Sequence, residues 1–352
     1  MHLVAPAPTP HAHHVARPHR FVDVYSHIGP GMLSLRARRA RPLVYVPNSE
    51  GDSVDVIDPR TFRVVRRFRV GALPQHITPS YDLRTLYVDN DVGNTLTPID
   101  PRTGRPGRPV RVADPYNLYF TPNGRYAIVV AERLRRLDFR TPRRFRLVKS
   151  IQVPCAGVNH MDFTANGRYA IVSCEFSGQL LKVDVRRLRI VAVRRLPHRF
   201  AMPQDVRAAP NARVFYVADL AAGGVWEISP RGLRVTRFIR TGSGAHGLVV
   251  SRNARILYVS NRNAGTISSI SFRRQRVVRT WRIPGGGSPD MGDVSANGRV
   301  LWLSGRFNAV VYAIDTRTGR LLRRIPVGAS PHGVAVWPQP GRYSLGHTGN
   351  MR

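Results

Sequence analysis

Seven polar residues that can hold a proton, a ligand or a metal ion recur along the chain at a spacing of 41 to 45 residues. Each lies at the start of an apolar segment, and the set is His76, Asn117, His160, Asp205, His246, Asp290 and His332. Imidazole nitrogens, carboxylates and amide oxygens coordinate divalent cations and orient polar ligands. If the seven segments are structural repeats, these side chains form one ring, which is the predicted ligand-binding ring.

A second set of polar residues ends the next strand-like segment of each repeat. Its members are Asn48, Asn90, Glu132, Glu175, Asp219, Asn261 and Gly305. Antiparallel neighbouring strands bring both sets to one face, and the acids fall on consecutive repeats. The pattern predicts a divalent-cation site from His160, Glu175, Asp205, Asp219 and Glu132. The alternative is a structural collar, in which these side chains hydrogen-bond the neighbouring repeat.

The repeat itself predicts the fold. A period of 41 to 45 residues with four strands per period is typical of a β-propeller, as in the unit GLVV, ILYVSN, TISSISF and VVRTWRI after His246. Asn-Gly pairs at Asn123-Gly124, Asn166-Gly167 and Asn297-Gly298 favour tight hairpins. The first unit lacks its inner strand and the last unit is only an inner strand, so we expect residues 332–336 to pair with 43–48. The predicted fold is all-β, a seven-bladed propeller closed by its two ends.

The predicted domain organisation has three parts. Residues 1–41 form a disordered arm rich in Pro, His and Arg, residues 42–337 form the propeller, and residues 338–352 form a C-terminal tail. No apolar run is long enough for a transmembrane segment, and no signal peptide is visible. Motifs of serine hydrolases and nucleotide-binding loops are absent from the sequence.

The charge of the chain is extreme, at +34, and 53 of its 55 basic residues are Arg because Lys149 and Lys182 are the only lysines. Arg is densest in the fourth strand of each repeat. Two interpretations stay open: a codon bias of the genome, or a surface that binds a polyanion such as a cell-wall polymer, nucleic acid or anionic lipid.

Two cysteines, Cys155 and Cys174, flank one inner strand and its neighbour. They form either a disulfide, which would imply an oxidising compartment, or two free thiols, and a metal site with His160 is a further alternative.

The segments LYVDN, FYVAD, LYVSNRNAGTISSI and SPHGVAV resemble the YVTN-type β-propeller repeat, which is related to surface-layer and lactonase-like propellers. The resemblance covers about residues 42–337. It implies a location outside the cytoplasm and a non-catalytic scaffold that binds a protein or small molecule at the channel mouth. Its alternative implication is a metal-dependent, lactonase-like hydrolase with the active site at that mouth. A polyanion-binding protein that uses the Arg-rich outer rim is the third hypothesis.

Overall fold

The structure is a computed structural model that describes residues 23–352, and it is a seven-bladed β-propeller. Each blade is an antiparallel sheet, and the first strand of one blade contacts the first strand of the next, so the inner strands surround a central channel. The predicted fold class is therefore confirmed.

The strands of each blade run in sequence from the channel outward. Blade 1 contains β1 (Leu43–Asn48), β2 (Ser53–Asp58) and β3 (Arg63–Arg69). Blade 2 contains β4 (Pro74–Pro79), β5 (Leu86–Asn90), β6 (Thr95–Asp100), β7 (Arg105–Pro106) and β8 (Val110–Arg111). Blade 3 contains β9 (Asn117–Phe120), β10 (Ala127–Ala131), β11 (Arg136–Arg140) and β12 (Leu147–Gln152). Blade 4 contains β13 (Val158–Phe163), β14 (Tyr169–Cys174), β15 (Gln179–Asp184) and β16 (Arg189–Arg195).

The remaining blades follow the same plan. Blade 5 contains β17 (Pro203–Ala208), β18 (Phe215–Asp219), β19 (Gly224–Ser229) and β20 (Arg234–Arg240). Blade 6 contains β21 (Ala245–Val250), β22 (Ile256–Asn261), β23 (Thr266–Ser271) and β24 (Arg276–Arg282). Blade 7 contains β25 (Pro289–Val294), β26 (Val300–Gly305), β27 (Val310–Asp315) and β28 (Leu321–Pro326), and the last strand is β29 (Ala335–Trp337). Short 3₁₀ turns cover Ala37–Arg39, Ser49–Gly51 and Glu175–Ser177, and no helix within residues 23–352 is long and apolar enough to span a membrane.

Burial falls from the channel to the rim. Every residue of the inner strand β13 is buried, whereas the outer strand β3 alternates exposed and half-buried positions. The alternation places apolar side chains such as Phe68 against the blade and Arg side chains in water. Arg at the outer edge also discourages pairing with other chains, which gives the outer arginines a structural role in addition to any binding role.

The two ends of the propeller close the ring as predicted. Strand β29 pairs with β1, with Leu43 opposite Trp337 and Tyr45 opposite Ala335. A hydrogen bond from the His332 amide to the Pro47 carbonyl, 3.0 Å, continues this contact toward the start of the inner segment. The composite blade is thus made from both termini, and β1 has no free edge toward the channel.

The predicted disordered arm is wrong for residues 23–41, while residues 1–22 lie outside the described part of the chain. The amide of Val24 donates to the Pro210 carbonyl, and the Tyr25 hydroxyl donates to the Ala208 carbonyl at 2.8 Å. Tyr25 and Ile28 are buried against the propeller. Scattered apolar residues among Arg, Gly and Pro did not indicate this packing, because their partners are distant in sequence.

The C-terminal tail folds back into the channel. Residues 338–352, here named the C-terminal hairpin, include an antiparallel contact between Ser344 and Met351. The hairpin hydrogen-bonds the inner strand of blade 3, through Phe120 N–H to the Leu345 carbonyl and His347 N–H to the Leu118 carbonyl. Gly346 adopts a φ of +97°, and a Cβ there would collide with the Leu118 carbonyl, so this close approach requires glycine. The hairpin follows β29 and therefore enters from the face opposite the predicted ring.

Candidate functional site

The seven ring residues lie at the start of the inner segments, and local irregularities in the strands orient them. The pairing of the first and second strands shifts register at the ring position in five blades, for example between Val158 and Met161 and between Ala245 and Leu248. A bulge at such a position turns one side chain out of the regular alternation. As a result the polar residue points to the channel while its apolar neighbours pack between blades.

Five imidazoles form one cluster in the channel. The ring centroids of His76 and His332 are 4.7 Å apart, and those of His160 and His246 are 6.4 Å apart. The fifth ring belongs to His347, at the tip of the C-terminal hairpin, with its centroid 4.8 Å from that of His76 and 5.0 Å from that of His160. All five histidines are buried.

The cluster contains two groups with the spacing of metal ligands. His76, His160 and His347 offer one ligand atom each within 4.8 Å of one another, and so do His246, Asp290 and His332. These are the two groups of this kind within residues 23–352. Both groups contain buried polar atoms without a hydrogen-bond partner, including Nδ1 of His332 and Oδ2 of Asp290 in the second group. The second group differs in having a carboxylate that pairs with an Arg side chain.

The first group has free nitrogens. Both ring nitrogens of His76 and both of His160 are buried without a hydrogen-bond partner. Buried polar atoms are rarely left unpaired, because the loss of hydration is not compensated. His347 is held in place: its Nδ1 is 3.1 Å from the amide nitrogen of Asn117, and its ring stacks on Tyr119. The residues of this group fit a metal ion that takes one nitrogen from each ring, provided that the Asn117 side-chain amide turns its oxygen toward Nδ1–H of His347 so that Nε2 keeps its lone pair.

The second group is a charge-balanced network. Oδ1 of Asp290 is 2.7 Å from Nδ1 of His246 and 2.8 Å from Nη2 of Arg262. Burial alone would raise the pKa of Asp290. The Arg262 guanidinium, together with His246 and His332, holds that pKa well below its ordinary value. A carboxylate on Nδ1 orients an imidazole and leaves Nε2 directed elsewhere. Asp290 therefore acts as a positioning group for His246.

The imidazoles are neutral at physiological pH. Burial lowers the pKa of His76 to about 3 and that of His246 to about 4, and it lowers the pKa values of His160, His332 and His347 as well. Neighbouring positive groups such as Arg306 and Arg207 act in the same direction. A neutral ring keeps a lone pair for coordination, so protons compete with a cation only in acid.

The other two members of the predicted ring have mainly structural contacts. Asn117 contacts the hairpin as described. Asp205 accepts hydrogen bonds from the amides of Val206 and Leu248 at 2.8 and 3.0 Å, and it pairs with Arg207 at 3.0 Å. Burial raises the pKa of Asp205 to about 6, against the effect of Arg207. Its carboxylate thus joins blades 5 and 6, and its Oδ2 approaches Nε2 of His347 only to 3.8 Å.

The second predicted ring is largely structural. The amide nitrogens of Asn48, Asn90 and Asn261 donate to Ser or Thr hydroxyls of the third strand. Asp219 accepts from the Met202 and Ala222 amides and from the Trp226 indole, which engages both of its carboxylate oxygens. Each of these side chains fastens the turn between the second and third strands of its own blade, and Gly305 contributes no side chain.

The predicted metal set therefore does not form a single site. His160 belongs to the imidazole cluster, Asp205 and Asp219 are committed to other partners, and Glu132 and Glu175 are half-buried at the channel mouth. Periodicity predicts the position of each residue along its strand, but the direction of each side chain depends on its hydrogen bonds. Glu175 accepts from the Asn159 amide at 3.1 Å. Burial, reinforced by the nearby charge of Glu175, raises the pKa of Glu132 to about 8.

The two cysteines are joined in a disulfide within blade 4. The bond connects the segment before β13 to the end of β14, next to Glu175. Of the alternatives drawn from the sequence, the structure contains the disulfide, and no described cysteine is free.

Sequence reasoning missed three contributors to this site. His347 lies outside the repeats, so the period of the repeats could not predict its position. The only signal in the sequence was a His between the glycines of GHTGN. Tyr116 packs edge-on to His76 at 5.6 Å and immediately precedes a predicted ring residue. Arg262 follows a member of the second ring, and nothing in the spacing of the repeat indicates its pairing with Asp290.

Comparison with known families agrees with the blade count and the closure. A model of the YNCE-like β-propeller matches residues 31–341. The chain belongs to this family. The finer assignment to YVTN-type or lactonase-like propellers is a hypothesis. No curated protein matches the chain.

Solved structures with a similar fold include two enzymes and a protein of unknown function. Hydrazine synthase of Kuenenia stuttgartiensis is 17% identical over 84% of this chain and 97% of its own, with a TM-score of 0.67. A functionally unknown protein from Desulfotomaculum acetoxidans is 13% identical over 84% of this chain and 99% of its own, with a TM-score of 0.71. The dihydro-heme d1 dehydrogenase NirN is 15% identical over 90% of this chain and 80% of its own, with a TM-score of 0.64. At these identities the likeness concerns the fold alone.

Proposed function

We propose that this protein is a non-catalytic binding propeller that holds a divalent transition-metal ion in its channel through His76, His160 and His347. The observation that carries the proposal is the set of four buried ring nitrogens on His76 and His160 that have no hydrogen-bond partner. A metal ion accepts one lone pair from each of several imidazoles at once.

The chemistry of the ligands selects the class of ion. Neutral imidazoles favour Zn²⁺, Cu²⁺, Ni²⁺ and Co²⁺, whereas Ca²⁺ and Mg²⁺ prefer oxygen ligands. Three protein ligands leave a coordination position for water or for a group of the bound partner.

The surroundings of the channel mouth support binding of a partner. Phe176 and Phe307 follow the second strands of blades 4 and 7, and they are 64% and 69% exposed. Exposed aromatic residues around a polar opening are typical of an interaction surface. The Cys155–Cys174 disulfide supports a location in an oxidising compartment, in keeping with a protein that works outside the cytoplasm.

A metal-dependent hydrolase is the second candidate, and Glu132 is the observation in its favour. With a pKa of about 8, Glu132 carries a proton at neutral pH and could donate it to a leaving group. Glu132 lies close enough to Tyr116 to affect its titration, and Tyr116 contacts His76. Metal-loaded protein that hydrolyses a lactone, with loss of turnover in Glu132→Gln, would establish this candidate over the non-catalytic one.

Isothermal titration of metal-stripped protein tests the binding proposal. We expect Zn²⁺ and Ni²⁺ to bind with submicromolar affinity, Ca²⁺ to bind far more weakly, and the double variant His76→Gln/His160→Gln to lose the Zn²⁺ site. His198→Gln is the matched control, because His198 is exposed on a loop. Wild-type protein that fails to bind Zn²⁺, or a folded double variant that keeps its full affinity, would overturn the proposal.

Visible absorption of bound Co²⁺ provides a second measurement on the wild-type chain, so the test does not depend on the folding of a variant. Nitrogen ligation gives a spectrum distinct from that of hydrated Co²⁺. A spectrum identical to that of the free ion would contradict coordination by the imidazoles.

A further inference from the structure

We propose that metal binding and docking of the C-terminal hairpin are coupled, so that the hairpin is a plug that the metal ion locks in the channel. This inference rests on the proposed function, and it concerns how the site is assembled and opened. The hairpin provides His347, while the propeller provides His76 and His160.

The hairpin is attached to the propeller by polar and by apolar contacts. Nη2 of Arg352 pairs with Oδ1 of Asp162 at 2.5 Å, and the guanidinium lies 4.8 Å from the centre of the Tyr25 ring. Further fastenings are backbone hydrogen bonds to Leu118, Phe120, Tyr81 and Met32. The buried apolar side chains of the segment after Pro338 are Pro340, Leu345 and Met351.

Docking also has clear costs. Oε1 of Gln339 and Nδ2 of Asn350 are buried without partners, and His347 adopts a left-handed φ of 51°. The docked hairpin further brings the His347 ring against His76 and His160, whose nitrogens remain unpaired. These costs oppose the contacts that hold the hairpin, and a ligand that pairs with the unpaired nitrogens would favour the docked state.

A metal ion would bind the two states unequally. The docked state offers three imidazoles, and the released state offers two, because His347 leaves with the hairpin. A ligand that prefers one state shifts the equilibrium toward it, and the hairpin in turn raises the affinity for the metal by the same factor. The channel would therefore be closed at the face where the hairpin enters when the ion is bound, and accessible from that face when the ion is absent.

Arg352 provides a test that leaves the ligands intact. Arg352→Gln removes the ion pair between Arg352 and Asp162. Arg352 lies at the open end of the hairpin, whereas His347 lies at its tip. We expect Zn²⁺ affinity, measured by titration of the stripped full-length protein, to fall at least 5-fold, within the range typical of coupled sites. Arg342→Gln is the matched control on the same segment, because Arg342 is exposed, and its affinity should equal that of the wild type.

Hydrogen exchange measures the converse effect. In wild-type protein, Zn²⁺ should slow exchange of the backbone amides of residues 347 and 350 at least 5-fold. In His347→Gln the same addition should leave the exchange rates of the amides at these two positions unchanged. Equal exchange with and without Zn²⁺ in a wild type that binds the ion would overturn the coupling while leaving the proposed function standing. Unchanged Zn²⁺ affinity in Arg352→Gln would do the same. A wild type that binds no Zn²⁺ would instead remove the proposed function itself.

A chain that ends after Trp337 serves as the second variant if Arg352→Gln does not fold. It retains β29 and the ring closure but lacks the whole hairpin. The proposal requires weaker Zn²⁺ binding in this chain, and wild-type affinity would refute it.

Discussion

The burial of neutral histidines in the channel predicts a specific loss of stability in acid, and His76→Gln isolates it. An unfolded histidine binds a proton near pH 6.5, whereas burial lowers the pKa of His76 to about 3 in the folded protein. Between these two values the unfolded chain binds more protons than the folded one. The free energy of unfolding of the wild-type protein therefore decreases as the pH falls below 6.5.

The size of the effect follows from the two pKa values. Between pH 6.5 and pH 5 a single buried histidine of this kind lowers the free energy of unfolding by about 1.6 kcal/mol. His76→Gln removes that penalty, so its stability relative to the wild type should improve by this amount over the same interval. Burial raises the pKa values of Glu132 and Asp205, which gives the opposite pH dependence, but both groups are present in both proteins and cancel in the difference.

Urea denaturation in the presence of EDTA, at pH 6.5 and at pH 5, measures the difference without interference from metal ions. A constant destabilisation by the smaller Gln side chain affects both pH values equally and does not alter the result. His198→Gln should show no such change, because His198 is exposed. If the stability difference between wild type and His76→Gln is the same at both pH values within about 0.5 kcal/mol, His76 is not held neutral by burial and the reasoning fails.

Three further predictions concern the rest of the molecule. A chain ending at residue 330 loses β29 and exposes the edge of β1, so it should aggregate or lose its cooperative melting transition, whereas a chain ending at 337 should melt cooperatively; equal melting of the two would contradict closure by β29. Replacing both Cys155 and Cys174 with Ser opens a loop with a sequence separation of 19 residues and should lower the free energy of unfolding by about 3 kcal/mol in urea titrations; an unchanged midpoint would show that the bond does not form in solution. If the outer arginines bind a polyanion, heparin affinity should fall steeply as salt increases, and an absence of binding at low salt would leave codon bias as the explanation of the charge.

The amino-acid sequence by itself determined the architecture. The period of 41 to 45 residues, the strand-like segments within it and the missing inner strand of the first unit were enough to predict seven blades and their closure. They were enough because each blade repeats the same local pattern, and because an unpaired first strand has only one complementary strand in the chain. The same period also placed His76, His160, His246 and His332 on one channel.

Tertiary structure decided which of the predicted site residues can act together. Asp205 and Asp219 have the same position in the repeat as other candidates, yet backbone amides, Arg207 and Trp226 occupy their carboxylates. The ligand His347 comes from a segment with no repeat partner, and it reaches His76 only because the chain returns through the channel after β29. Periodicity fixes where a residue lies along a strand, but the direction of its side chain depends on neighbours that are distant in sequence.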